Sequence, residues 1–314
     1  PFMTYSENRS LKEQMFKAYG SKAFKNNECD NQNVLKQIAI LRHERAVLLG
    51  YKSHADFVLE ERMAESPVKV FSFLENLLDN SLSFAKEELE ELKAYIKTNS
   101  GPEDLKKWDI PYYAEKLKKE KFAIDDELLR PYFKLENVIT GVFETAKKLY
   151  GLTFVQRNDI PLYHKDVTTY EVKNAQGEFL AVFYADFFPR AGKRQGAWMT
   201  SFVNQKIENG VNIRPHVSIV CNCTKPTESK PSLLSFDEVT TLFHEFGHAL
   251  HGICANGQYG SLSGTSVYWD FVEHPSQIME NWCYQPEALA LFAKHYDTGA
   301  VLPTAYIDKI KESQ

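Results

Sequence analysis

Along residues 1–150 apolar positions recur at three- and four-residue intervals, a period that predicts helix after helix. Leu11 to Lys25 is amphipathic. Asn33 to Leu49 carries Leu35, Ile38, Ile40, Leu41, Val47 and Leu48 on its apolar side and is stopped by Gly50. Ser53 caps a short helix through Met63, and Ser66-Pro67 opens a long one to about Thr98, with proline at the first helical position. Asn99-Ser100-Gly101-Pro102 punctuates its end. The charge run Glu87 to Lys93 reads as a solvated face of that helix. Two or three further helices fill Asp104 to Leu149, where Tyr112, Tyr113, Phe122, Leu128, Phe133 and Phe143 read as core.

After Gly151 the period changes to alternation. Leu152 to Gln156, Thr168 to Val172 and Phe179 to Phe188 read as short strands, with Asn174-Ala175-Gln176-Gly177 as a turn between two of them. Gly196 to Val203 and Val217 to Cys221 add two more. The loop Arg190 to Gly196 is basic and contains glycine but lacks the spacing of a phosphate-binding loop, so it reads as a connection. The fold class is therefore mainly α with a small β-sheet, organised as a helical part over residues 1–150 and a part over 151–314 that holds the sheet and further helices. An edge of that sheet could pair with an extended peptide.

The helical period returns after Ser235, which with Glu238 three residues on forms a capping-box signature. Val239, Leu242, Phe243, Phe246, Leu250 and Ile253 keep the spacing of a buried face. Inside that apolar helix stands His244-Glu245-Phe246-Gly247-His248, and two histidines four residues apart share one helix face and can grip one metal ion. Zinc suits neutral imidazole donors and leaves a position for water, while the intervening Glu245 is placed to act as a general base toward a carbonyl carbon. Histidines that only satisfy core hydrogen bonds would leave this Glu, and a glycine that disfavours a helix by roughly 1 kcal/mol relative to Ala, without a reason.

Composition narrows the partners. With 314 residues and 43% hydrophobic content the chain can bury a large core. A net charge of −5 with basic residues spread through helices gives no stripe for nucleic acid, and no apolar run approaches a membrane span. Five cysteines without a Cys-x-x-Cys pair do not make a disulfide framework, which makes a reducing, cytoplasmic compartment the expectation. The chain opens at Pro1 without an initiator Met, so a periplasmic or lipoprotein origin stays open. Cys221 and Cys223 read as small apolar strand residues.

A third metal ligand is still required. His251 is on the same side of the helix but seven residues, roughly 10 Å of rise, from His244, too far to converge on one ion. The pattern with a later Gly and His fails, since those positions hold His251 and Cys254. The first acidic residues downstream are Asp270 and Glu273, then Glu280, on a stretch from Trp269 to Trp282 that reads as a second helix with Pro275 in its first turn.

His244 to His251, followed by Ser263-Gly264-Thr265, Asp270-Phe271-Val272-Glu273, Pro275-Ser276-Gln277 and Glu280-Asn281-Trp282, resembles the thimet oligopeptidase and peptidyl-dipeptidase (dipeptidyl carboxypeptidase) family of zinc metallopeptidases. Gly192-Lys193 and Gly196-Ala197-Trp198-Met199 extend the resemblance, which is nearest to the bacterial peptidyl-dipeptidases. It implies a zincin (gluzincin) fold with helical walls around a deep channel. One zinc per chain would be held by His244, His248 and Glu273, with Glu245 as general base, acting on oligopeptides by releasing C-terminal dipeptides or by endo-cleavage. A relic that binds peptides without cutting them is the reading from another class, and the intact Glu245 argues against it. Glu280, seven residues after Glu273, is expected to accept a hydrogen bond from the outer nitrogen of a zinc-bound histidine. His274 has no assigned role. Family members continue beyond Gln314, where their oxyanion-stabilising side chains lie, so the chain is expected to be a central fragment. Its oligomeric state is left open.

Overall fold

The computed structural model describes residues 2–123 and 126–312. Two compact units emerge, residues 1–123 and residues 124–314. The first is all helical: α1 (Phe2–Tyr5), α2 (Arg9–Gly20), α3 (Gln32–Leu48), α4 (His54–Leu59), α5 (Pro67–Thr98) and α6 (Ile110–Phe122). Side-chain caps set the starts, since Asn8, Ser53 and Ser66 accept from the backbone amides of Leu11, Asp56 and Lys69, and Pro67 occupies the first turn of α5. A buried polar anchor of this unit is Asp109, whose carboxylate is bidentate with Arg9 at 2.9 and 2.8 Å.

The apolar side expected for α3 is not covered by the described residues. Leu35, Leu41 and Leu48 are exposed, as are Phe71, Phe73 and Phe84 of α5, and only Ala46 of α3 is buried. Helical period reports which side is apolar, whereas burial needs a partner element on that side. Of the aromatic and aliphatic residues expected in the core between 104 and 149, Phe133 is fully buried, Tyr112, Tyr113, Phe122 and Phe143 are half-buried, and Leu128 is exposed.

The second unit opens with α7 (Asp126–Leu129) and α8 (Leu135–Tyr150). Helix α8 ends at Gly151, whose φ of +69° suits a residue without Cβ. A five-stranded sheet follows, of order β1 (Thr153–Arg157), β2 (Thr168–Lys173), β3 (Phe179–Asp186), β7 (His216–Val220), β4 (Trp198–Val203). All neighbours are antiparallel except β3 and β7. Strands β5 (Lys206–Glu208) and β6 (Val211–Ile213) form a separate small hairpin. The hairpin's short, half-polar sequence gave no alternation to read.

Helix α9 (Phe236–Ile253) packs on the sheet, and Phe246 meets Phe143, Phe154 and Phe183 in one aromatic cluster. On its other side Phe243 packs against Phe292 of α11 (Pro286–Phe292). Helices α10 (His274–Glu280) and α12 (Thr304–Glu312) complete the unit. The helix expected over 269–282 is thus shorter at both ends. Residues 269–273 wind as separate turns, and a 3-10 segment takes over at Asn281. The first intrahelical bond runs from Gln277 N to Glu273 O at 2.9 Å, which makes Glu273 the capping residue outside α10. Among the described residues no helix is long and apolar enough to cross a membrane.

Candidate metal centre

The site grows from the start of α9. Ser235 Oγ accepts from Glu238 N at 3.2 Å and Glu238 Oε2 accepts from Ser235 N at 2.7 Å, a reciprocal cap that fixes where the helix begins and so which residues face where. Two turns later His244 and His248 project side by side, ring centroids 4.9 Å apart and planes 85° to each other. Glu273, splayed from the cap of α10, lays Oε2 3.2 Å from His244 Nε2 and 3.0 Å from His248 Nε2. One ligand atom from each of these three residues lies within 4.8 Å of the others, a group that could hold a metal ion.

The donor set fits zinc. Ligands held about 2.0–2.1 Å from a tetrahedral ion stand roughly 3.3 Å apart, close to the separations here. The outer nitrogen of His244 is engaged too: Nδ1 is 2.6 Å from Glu280 Oε1. A carboxylate there accepts a hydrogen bond from Nδ1–H and so keeps the ring proton on Nδ1, which leaves the Nε2 lone pair facing His248 and Glu273. His248 Nδ1, by contrast, is buried with no partner among the described residues. Burial lowers the pKa of His248, partly opposed by Glu273, so its neutral, ligating form is favoured.

Glu245 is on the same turn and only 7% exposed. Burial pushes its carboxyl up, His244 opposes that, the Glu273 charge adds to it, and the nearby Met199 backbone amide on β4 pulls back; the net direction is upward. A carboxylate whose proton affinity is raised suits an acceptor of protons from water near neutral pH.

Alignment of the two segments depends on Gly247. A Cβ placed there would stand 2.5 Å from Ser276 Cα and 2.6 Å from Pro275 O, so the missing side chain is what lets the start of α10 lie against α9. Ser276, wholly buried, donates toward Glu273 O at 2.8 Å and Glu273 Oε2 at 2.9 Å. Neither the Ser276 contact nor the Met199 amide was legible in the sequence. Gly247 did carry a signal, since an interior glycine in an apolar helix marks a close approach.

The other residues singled out by sequence fall elsewhere. His251 lies outside the three-residue group, with a buried Nδ1 that has no partner among the described residues and its ring 6.4 Å from Phe271. His274 packs its ring 5.5 Å from Phe271. Cys221 and Cys223 are buried free thiols. The basic loop is a connection whose cations are occupied: Arg190 and Lys193 both bind the buried Asp186 carboxylate, at 2.7–2.8 Å and 3.0 Å, and Arg194 lies over the Trp198 ring, 4.8 Å from its centroid.

Residues 2–314 match the family model described as Peptidase family M3. Oligopeptidase A of Escherichia coli (strain K12) is 42% identical over 316 residues, covering 99% of this chain and 46% of that protein. Dipeptidyl carboxypeptidase of the same organism is 39% identical over 314 residues, covering 100% and 46%. Saccharolysin of Saccharomyces cerevisiae is 33% identical over 333 residues, covering 99% and 45%. The chain thus spans about half the length of these curated relatives, and the first two stand too near each other in identity to separate their activities.

Proposed function

Because the chain belongs to peptidase family M3, we propose that it carries the metal-binding and general-base part of a zinc peptidase that hydrolyses oligopeptides. His244, His248 and Glu273 would hold one zinc ion per chain. The observation that carries this reading is the meeting of Glu273 Oε2 with both imidazole Nε2 atoms at 3.0–3.2 Å beside a buried Glu245. A zinc ion bound there supplies Lewis-acid activation of water and polarisation of the scissile carbonyl. Glu245 takes the proton of the attacking water on its carboxylate and delivers it to the departing amine. Glu280 holds the proton at His244 Nδ1 and keeps that ring oriented.

Strand β4 ends the sheet and packs against α9, so a peptide added along its free edge would run past the general base in extended form. The helical walls and channel that the family resemblance implies would admit such chains and exclude folded proteins. We favour release of C-terminal dipeptides, with endo-cleavage as the second reading; the relatives' names include both an oligopeptidase and a dipeptidyl carboxypeptidase. A cytoplasmic setting accords with the free cysteines and with a relative named as a probable cytosolic oligopeptidase A.

Zinc content by mass spectrometry, paired with Glu245→Gln in the full protein, tests the reading. One zinc per chain and loss of peptide cleavage in the variant are expected; cleavage at the parent rate would overturn the role of Glu245. A C-terminally amidated peptide then separates the two activities, since only dipeptide release from a free carboxylate should fail on it.

A further inference from the structure

Glu273 is the least constrained member of the ligand group. Its side chain is 53% exposed, whereas those of His244 and His248 are 26% and 12% exposed. A long, half-exposed carboxylate ordinarily samples several rotamers, and fixing it opposes binding by the rotamer freedom lost. Here it is held already. Ser276 Oγ lies 2.9 Å from Oε2, the same oxygen that faces the two imidazoles. Ser276 has no exposed surface and no room to withdraw, since its Cα rests over Gly247, on the helix that carries both histidines. The seat on α10 is therefore packed directly against α9, the helix that carries the ligand pair.

We propose that Ser276 is a positioning residue for the third metal ligand, holding Glu273 Oε2 at the histidine pair in advance of the ion, with Gly247 as the floor that makes this possible. The proposal rests on the zinc reading of the site. A hydroxyl has one proton, and Glu273 O at 2.8 Å competes for it. A purely structural Ser276 would spend that proton on the carbonyl as a local helix-start bond and leave metal affinity alone.

The experiment compares the full protein with Ser276→Ala and Gly247→Ala, using zinc alone as the probe. Chelator competition gives the dissociation constant, and the visible absorption of the cobalt-substituted forms reports ligand geometry. Loss of an outer-shell hydrogen bond to a ligand is expected to weaken zinc binding about 10-fold in Ser276→Ala and to alter the cobalt bands, with circular dichroism unchanged. Gly247→Ala should weaken binding further, because the added methyl collides with the Pro275-Ser276 backbone. A parent that binds zinc and a Ser276→Ala variant with the same affinity and the same cobalt spectrum would overturn the proposal while leaving the zinc reading intact. A Ser276→Ala variant that loses its fold together with its zinc would also overturn it, by showing that the hydroxyl supports the chain and not the carboxylate. A parent that binds no zinc would sink the site reading first.

Discussion

His244 Nδ1 and Glu280 Oε1 lie 2.6 Å apart, 36 positions distant in the chain and on two different helices. This contact bears on the histidine pair without touching the point where Glu273 meets it. In Glu280→Gln the amide oxygen can still accept the Nδ1 proton, but the charge that raises the basicity of Nε2 is gone. Metal affinity or peptide turnover is expected to fall roughly 10- to 100-fold, the usual range for outer-shell partners of a ligating histidine. Zinc competition and steady-state kinetics on the full protein would check this, and parent-like values in both would remove Glu280 from the site.

The far end of the same helix is held by an unusual cation. Arg214 donates to Ile253 O at 2.9 Å, Ala255 O at 3.0 Å and Leu180 O at 2.7 Å, so a half-buried guanidinium closes the C-terminus of α9 onto β3. Burial lowers its pKa, and carbonyl dipoles and the negative helix end take the place of a carboxylate. Arg214→Ala should destabilise the second unit by about 2–3 kcal/mol, the scale of hydrogen bonds to a charged donor. Denaturant titration with unchanged slope is the measurement, and a shift below half that size would mean that water replaces the lost donors.

A pH signature comes from Asp186. Burial pushes its carboxyl up, but the bonds from Arg190 and Lys193 outweigh that and hold its pKa below the ordinary carboxylate value. A depressed folded pKa contributes stability that is present above the unfolded value, about 3.9, and is lost as pH falls through the folded value. Asp186→Asn should therefore be less stable at neutral pH by about 3–5 kcal/mol, since it leaves the buried Lys193 ammonium without a countercharge, held only by the Asp186 and Phe188 carbonyls. The deficit should shrink as pH is lowered below about 4. Thermal melts of both proteins at neutral pH and near pH 3 would show the gap closing; a constant gap would contradict the assignment.

What could be read from sequence was local. Ser235 and Glu238 announce a helix start through short-range hydrogen bonds, and the spacing of His244 and His248 follows from helical pitch alone. The stretch around Glu273 was harder, because a helical period over 269–282 cannot reveal that Glu273 caps α10 from outside it. That placement depends on the contact of Pro275 and Ser276 with Gly247, which is remote in sequence. The same limit applies to α3, whose apolar side is plain in the sequence but lies open among the described residues. Periodicity names a face; only the neighbours decide its fate.

The parallel pairing of β3 with β7 has a kinetic corollary. Parallel neighbours cannot be joined by a tight turn, so everything between Asp186 and His216, the edge strand β4 included, must be looped out before that pairing closes, and loop closure of this kind slows a chain's search for its native state. The contact of His244 with Glu280 closes a loop of similar length, 36 positions, so neither assembly has a head start on the other. By loop length alone, the sheet pairing and the candidate metal centre close at a comparable entropic cost.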